Sequence, residues 1–187
     1  MTPTQPARHA DIERTSAACD PPANLDTRID VERARLRPHV EAHPLLHYRG
    51  LAAPPPSLDT LALDPEHQRL RACLLAERAV VEFIVCRVFL ANMQPRAGLH
   101  REATSSALVE RVASWLRDSG LPFGPVGEGP FITAALASRF HIQRASRVST
   151  SVFINASARS LRVASERPVP VELRGLVLEA MRREVRT

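Results

Sequence analysis

The chain has 187 residues, of which 44% are hydrophobic, enough apolar mass for the core of one domain and too much for a wholly disordered polypeptide. Aromatic residues make up only 4%, which argues against a large aromatic-rich β protein. A formal charge of +5 and an isoelectric point near 10.3 direct attention to anionic partners.

Residues 1–24 are polar, Pro-bearing and without period, the pattern of a disordered arm. A short helix is expected from Thr27 to about Arg37, stopped by Pro38. Pro44 and the run Pro54-Pro55-Pro56 then keep the chain extended, so that residues 1–61 read as a flexible Pro-rich arm and 62–187 as the folded domain. Asp64-Pro65-Glu66 is a strong helix start, with an N-cap carboxylate, a proline at the first helical position and a further acid near the positive end of the dipole. From there an apolar pattern through Leu70, Leu74, Val80, Phe83, Ile84 and Phe89 predicts one central core helix to about Met93.

A loop from Gln94 to Arg101 is followed by an amphipathic helix over Thr104–Ser119, where Leu108, Val109, Val112, Trp115 and Leu116 form one stripe. Gly120 and Pro122 punctuate its end. After the Gly/Pro segment LPFGPVGEGP, a third helix is expected over Pro130–Phe140. The period then changes to two. Val148, Thr150, Val152 and Ile154 alternate with Arg147, Ser149, Ser151 and Phe153, a β-branched pattern that favours a strand. Asn155 is the expected cap of a short helix to about Ser165, and a last helix covers Val171–Val185. The fold class is therefore mainly α: three to five helices, one short strand or hairpin near 146–154, and a disordered N-terminal arm.

The strand–helix–helix order of residues 146–186 resembles the layout of ribbon–helix–helix DNA-binding modules. That resemblance implies a second chain pairing its own strand, with Arg147, Ser149 and Ser151 facing the major groove. The stretch ITAALASRFHIQRASRV also resembles helix-turn-helix spacing, which would instead make residues 143–155 helical. The two layouts exclude each other and share only a basic, serine-rich surface.

Charge placement carries the functional signal. Residues 1–63 hold 7 arginines against 8 acids, residues 64–129 hold 8 against 8, and residues 130–187 hold 10 against 4, so the last third alone is at +6. No acid occurs between Glu128 and Glu166, whereas Arg139, Arg144, Arg147, Arg159 and Arg162 all do. All 25 residues of the Lys/Arg count are arginine, a side chain that stays charged and makes forked contacts with phosphates and guanine edges. The candidate nucleic-acid contacts are thus Arg139, Arg144, Arg147, Arg159 and Arg162, with Ser149 and Ser151 as hydroxyl donors. Aromatic stacking platforms are sparse, with only Phe140 and Phe153 nearby, which favours duplex DNA over single strands.

Other constellations carry less. His39, His43 and His47 recur every four residues, but Pro38 and Pro44 interrupt the helix that would align them, and no metal site is expected. There is no GxSxG, Walker or GxGxxG motif, so neither a catalytic residue nor a cofactor is assigned. Cys19, Cys73 and Cys86 show no paired spacing, as in a reducing compartment. The first ten residues lack an apolar signal core, and the apolar stretch Ala79–Met93 is too short to span a bilayer, so no membrane association is expected. Glu82 and Arg87, on the apolar helix, point either to other helices of the chain or to burial in an oligomer. The reading at this level is a non-enzymatic DNA-binding accessory or regulatory protein, homodimeric, cytoplasmic or nuclear according to its host. The alternative is a helical adaptor or assembly subunit that binds another protein through helix 64–93.

Overall fold

The computed structural model describes residues 24–55 and 57–186. Eight helices and five short strands are present among them: α1 (Leu25–Ala42), β1 (Leu46–His47), β2 (Gly50–Leu51), α2 (Leu58–Ala62), α3 (Pro65–Cys73), α4 (Glu77–Ala91), β3 (Pro95–Thr104), α5 (Ser105–Asp118), α6 (Glu128–Ala137), β4 (Ile142–Arg144), β5 (Val152–Ala156), α7 (Ala158–Glu166) and α8 (Val171–Glu184). The mainly helical expectation holds, with more and shorter helices than the apolar periodicity indicated. None of the described helices is long and apolar enough to cross a membrane.

α4 is the axis of the core. Val80, Val81, Phe83, Val85, Cys86 and Phe89 are fully buried, and α1, α5, α6, α7 and α8 all pack on it. Each such aliphatic or aromatic side chain contributes about 1.5–3 kcal/mol on leaving water, so this helix organises the others. α6 supplies the second buried helix, with every residue from Gly129 to Ala135 inside.

The single helix expected over residues 64–93 is two helices. Asp64 caps α3 as anticipated, its carboxylate accepting from the backbone N–H groups of Glu66 and His67. The chain then tightens, with Leu74 N–H donating to Arg71 O and Leu75 N–H to Ala72 O, before α4 begins. The cause lies outside the helix. The Arg71 guanidinium donates to the carbonyls of Val40, His43, Pro44 and Leu46, capping the end of α1 and fixing α3 at an angle of its own.

Residues 25–61 do not behave as an arm. Leu25, Ile29, Leu36, Val40 and Leu46 belong to the same apolar core as α4. Residues 1–23, the rest of the expected arm, lie outside the described residues. α1 also runs through Pro38 rather than stopping there. The proline removes one N–H donor, but Leu36 and Val40 on either side are buried, and that burial outweighs the lost bond. The β1–β2 hairpin that follows needs Gly50: its φ is 120°, and a Cβ there would lie 2.5 Å from Thr150 O.

The expected strand near 146–154 is a hairpin, β4 against β5, extended by an unexpected third strand into an antiparallel sheet of order β3-β5-β4. β3 replaces the loop expected at 94–101. Its register against β5 slips twice, at Pro95/His100 and at His100/Thr104, and a strand with a slipped register need not show a period of two in its sequence. Val152 and Ile154 are buried as the alternation required, but Val148, assigned to the same face, is 87% exposed because it sits in the turn. β5 is paired on both sides, which leaves no edge for a second chain and excludes the ribbon–helix–helix arrangement through this strand. The β structure at 142–144 and 152–156 equally excludes the helix-turn-helix layout.

Candidate nucleic-acid interface

The seven residues singled out in the basic segment divide into two groups at opposite ends of β5. The hairpin turn at residues 145–151 holds Arg147, Ser149 and Ser151, with Arg144 at its base. Most of these groups are consumed internally. One Arg144 Nη donates to Leu51 O at 3.3 Å and Ser149 O at 2.9 Å, and the other to Ala52 O at 2.6 Å. That guanidinium joins the turn to the β2 segment and is itself half-buried. Ser149 N–H donates to Ser146 Oγ, and Ser149 Oγ accepts from Ser151 N–H, the local side-chain bonding that serines favour in turns. Ser151 Oγ donates to Glu128 Oε1 at 3.1 Å.

This last bond changes the electrostatic picture. The other oxygen of Glu128 accepts from Ser105 Oγ at 2.6 Å, and Ser105 Oγ accepts from Val152 N–H at 3.0 Å. A stretch without acids in sequence therefore has a carboxylate folded back against it in space. Only Arg147 in this group is exposed and without a partner among the described residues.

The other end of β5 is built around Asn155. Expected to cap a helix, it is instead a buried strand residue, 2% exposed. Its side chain accepts from His141 N–H at 2.8 Å and donates to Arg96 O at 2.8 Å, while its own N–H donates to His141 O. One buried amide thus ties together the end of α6, the start of β3 and the strand leading into α7. Arg139, Arg96 and Arg159 emerge from these three segments, all exposed. Arg162 follows Arg159 one helical turn later, also exposed. None of these four side chains has an acidic partner among the described residues.

Arg139 holds an unusual backbone. It has a φ of 62°, the left-handed region, immediately after α6. Its N–H donates to Leu136 O and the following Phe140 N–H to Ala135 O, each at 3.0 Å, the reverse turn that normally closes on glycine. Phe140 is buried beneath it, so the turn presents the guanidinium and hides the ring.

Beside this cluster lies a cavity of about 320 Å³ lined by Asn92, Gln94, Ser157, Arg159, Ser160, Val163 and Arg167. Arg167 is oriented by two neighbours: Trp115 Nε1 donates to its carbonyl at 2.6 Å, and its guanidinium donates to Asn92 Oδ1 at 2.7 Å. Arg96, Arg167 and Asn155 carry no sequence signal for this placement, because their partners lie 59, 52 and 14 residues away.

The remaining charged residues of the core are structural. Glu82 is fully buried and accepts from Arg78 Nε at 2.8 Å, Tyr48 Oη at 3.0 Å and Gly127 N–H at 2.9 Å. Burial pushes its carboxyl above the usual range, against the opposing pull of Arg78 and the Gly127 N–H. The Tyr48 hydroxyl is driven up by the same burial and by the Glu82 charge. Arg87 pairs with Glu32 on α1. Glu82 and Arg87 of α4 are therefore both satisfied within the chain. His47 and His67 meet edge to face at 5.5 Å, and among the described residues no three His, Cys, Asp or Glu side chains converge as metal ligands would. Comparison with protein-family models, with characterised proteins and with solved structures yields no match to this chain.

Proposed function

We propose that this chain is a non-enzymatic nucleic-acid-binding accessory or regulatory protein with a preference for duplex DNA. The observation that carries the reading is the basic excess of residues 130–187, 10 arginines against 4 acids, together with the exposure of Arg139, Arg147, Arg159 and Arg162 without acidic partners among the described residues. An arginine already engaged by a carboxylate would exchange one ion pair for another on meeting a phosphate. A free one releases condensed counterions from the nucleic acid instead.

The burial of Phe140 and the half-burial of Phe153 leave little aromatic surface on which unstacked bases could rest, which supports a duplex over a single strand. Arg96 and Arg167 join the contact set, and Arg144, Ser149 and Ser151 hold the turn that carries Arg147. A homodimer would present the surface twice and would associate through a face other than β5. The adaptor reading relied on the apolar surface of residues 64–93, and α4 spends that surface on the core of its own chain.

Fluorescence anisotropy with a labelled random-sequence duplex, titrated from low to physiological salt, tests the reading. Six phosphate contacts, from Arg96, Arg139, Arg147, Arg159, Arg162 and Arg167, give a log–log salt slope of about −5, at about 0.9 per contact. Absence of binding at low salt refutes it.

A further inference from the structure

We infer that the cavity between Arg159 and Arg167 is a binding site for a terminal phosphomonoester, held at the end of a nucleic-acid strand. The inference rests on the nucleic-acid reading for the source of the phosphate, but the cavity is argued from its own lining. That lining contains two guanidinium groups and no carboxylate. Arg159 has no partner among the described residues. Arg167 uses one Nη to reach Asn92 Oδ1, which leaves the rest of its fork for a ligand and sets its direction.

The walls are fixed before any ligand arrives. Gln94 N–H donates to Ser160 Oγ at 3.0 Å, Ser157 N–H donates to Gln94 O at 3.0 Å, and Ser160 Oγ donates to Ser157 O at 2.9 Å. These bonds lock the chain after α4 to the start of α7. The backbone of Arg167 hangs from the indole of Trp115, itself 2% exposed. Arg167, held at Asn92 and Trp115, loses little side-chain freedom on binding, so more of its interaction appears as affinity. The Gln94 side-chain amide, without a partner among the described residues, offers a neutral donor on the same wall.

The choice of a terminal group follows from shape and charge. Internal phosphodiesters carry a single charge and lie along a continuous backbone, which crosses a recess instead of entering it. A phosphomonoester carries a charge of about −1.5 to −2 at neutral pH and three strong acceptor oxygens, a match for two guanidinium forks. At about 320 Å³ the cavity is at the small end of ligand sites, of about 300–1,000 Å³. That size suits one end group better than an extended ligand. Arg96, Arg139 and Arg162 alongside would then hold the duplex leading away from the terminus.

The test compares a labelled duplex bearing 5′-phosphates with the same duplex bearing 5′-hydroxyls, for the wild type, Arg159→Gln, Arg167→Gln and, as a control from the other end of β5, Arg147→Gln. Inorganic phosphate and adenosine monophosphate are titrated separately, with backbone amide shifts at residues 157–160 as the readout. The expected result is affinity about tenfold higher for the phosphorylated duplex, with the difference lost in Arg159→Gln and Arg167→Gln and kept in Arg147→Gln. Equal affinity for both duplexes, with no amide shifts on adding phosphate, overturns the cavity and leaves the nucleic-acid reading standing. Binding of phosphate and adenosine monophosphate at residues 157–160 without binding of either duplex supports a phosphomonoester site but assigns it to a small molecule, and overturns the nucleic-acid source. Arg159 is exposed and unpartnered, so its variant folds and the comparison stands on that residue alone if Arg167→Gln is unstable.

Discussion

Arg139 offers a test in which stability and binding move in opposite directions. It is the one non-glycine residue with positive φ among the described residues, at 62°. A left-handed backbone destabilises an L-residue by about 1–2 kcal/mol, a strain that glycine does not feel. Glycine also has greater freedom in the unfolded chain, which takes back about 0.5–1 kcal/mol. The turn itself survives the exchange, because its two closing bonds, Arg139 N–H to Leu136 O and Phe140 N–H to Ala135 O, are backbone to backbone. Arg139→Gly is therefore expected to stabilise the protein by about 0.5–1 kcal/mol. Arg139→Ala keeps the strain, removes the same guanidinium and leaves stability within about 0.5 kcal/mol of wild type. Urea unfolding followed by far-ultraviolet circular dichroism measures both, and duplex anisotropy measures the shared loss of a phosphate contact, seen as a salt slope shallower by about 0.9. A glycine variant no more stable than the alanine variant refutes the strain. Binding equal to wild type in both removes Arg139 from the interface.

Further outcomes follow from the core and from the hairpin. Glu82→Ala strips the partner from Arg78, Tyr48 Oη and Gly127 N–H and is expected to lower stability by about 3–5 kcal/mol in denaturant titration, with Glu82→Gln milder. Because burial raises the folded-state pKa of Glu82, its favourable contribution is complete below the ordinary value of 4.5. That contribution fades as pH rises through the raised one, so the advantage of wild type over Glu82→Gln should shrink across that window. Gly129→Ala places a Cβ 2.1 Å from His47 O and 2.8 Å from Tyr48 O; neither is a flexible side-chain end, and the melting temperature should drop by the equivalent of at least about 1–3 kcal/mol. Arg144→Ala breaks three bonds to backbone carbonyls and should destabilise by about 1–3 kcal/mol. Arg147→Ala should leave stability unchanged while flattening the salt dependence of DNA binding, and identical stability of the two variants would refute the division of roles. His47 is held below its ordinary value of 6.5, first by burial and then by His67 and Arg49. Its contribution is present above that value and lost as pH falls through the depressed one, so His47→Gln should flatten part of the acid limb of the stability profile.

Much of the helical layout was legible because it depends on local chemistry. The Asp64 cap, the stripe of Leu108, Val112 and Trp115, and the helix from Val171 depend on neighbours within a few residues, and the structure places them there. The errors share a physical cause. The local pattern makes Pro38 a stop and the span from Asp64 to Met93 one rod. In both places distant groups decide the outcome: the burial of Leu36 and Val40 for the first, the Arg71 bonds to the end of α1 for the second. The sequence of β3 has the character of a loop, because a slipped register does not demand the alternation by which strands are recognised.

For the interface the same line separates what was visible from what was not. Charge is a property of composition and hydrophobicity of local order, so the basic last third, its all-arginine Lys/Arg content and a hydrophobic helix near residues 79–90 at the centre of the molecule are legible without the fold. Which arginines remain available is a matter of partners, and partners are chosen across the fold. Arg144 looked equivalent to Arg147 until its guanidinium met the carbonyls of Leu51 and Ala52. Glu128 looked like the edge of an acid-free window until it turned back onto Ser105 and Ser151. Arg96 and Arg167 were two arginines among many until Asn155 and Trp115 drew them to the same end of the sheet. Only the tertiary structure decides such questions, because a hydrogen bond or an ion pair depends on distances of a few ångströms between groups that the chain separates by tens of residues.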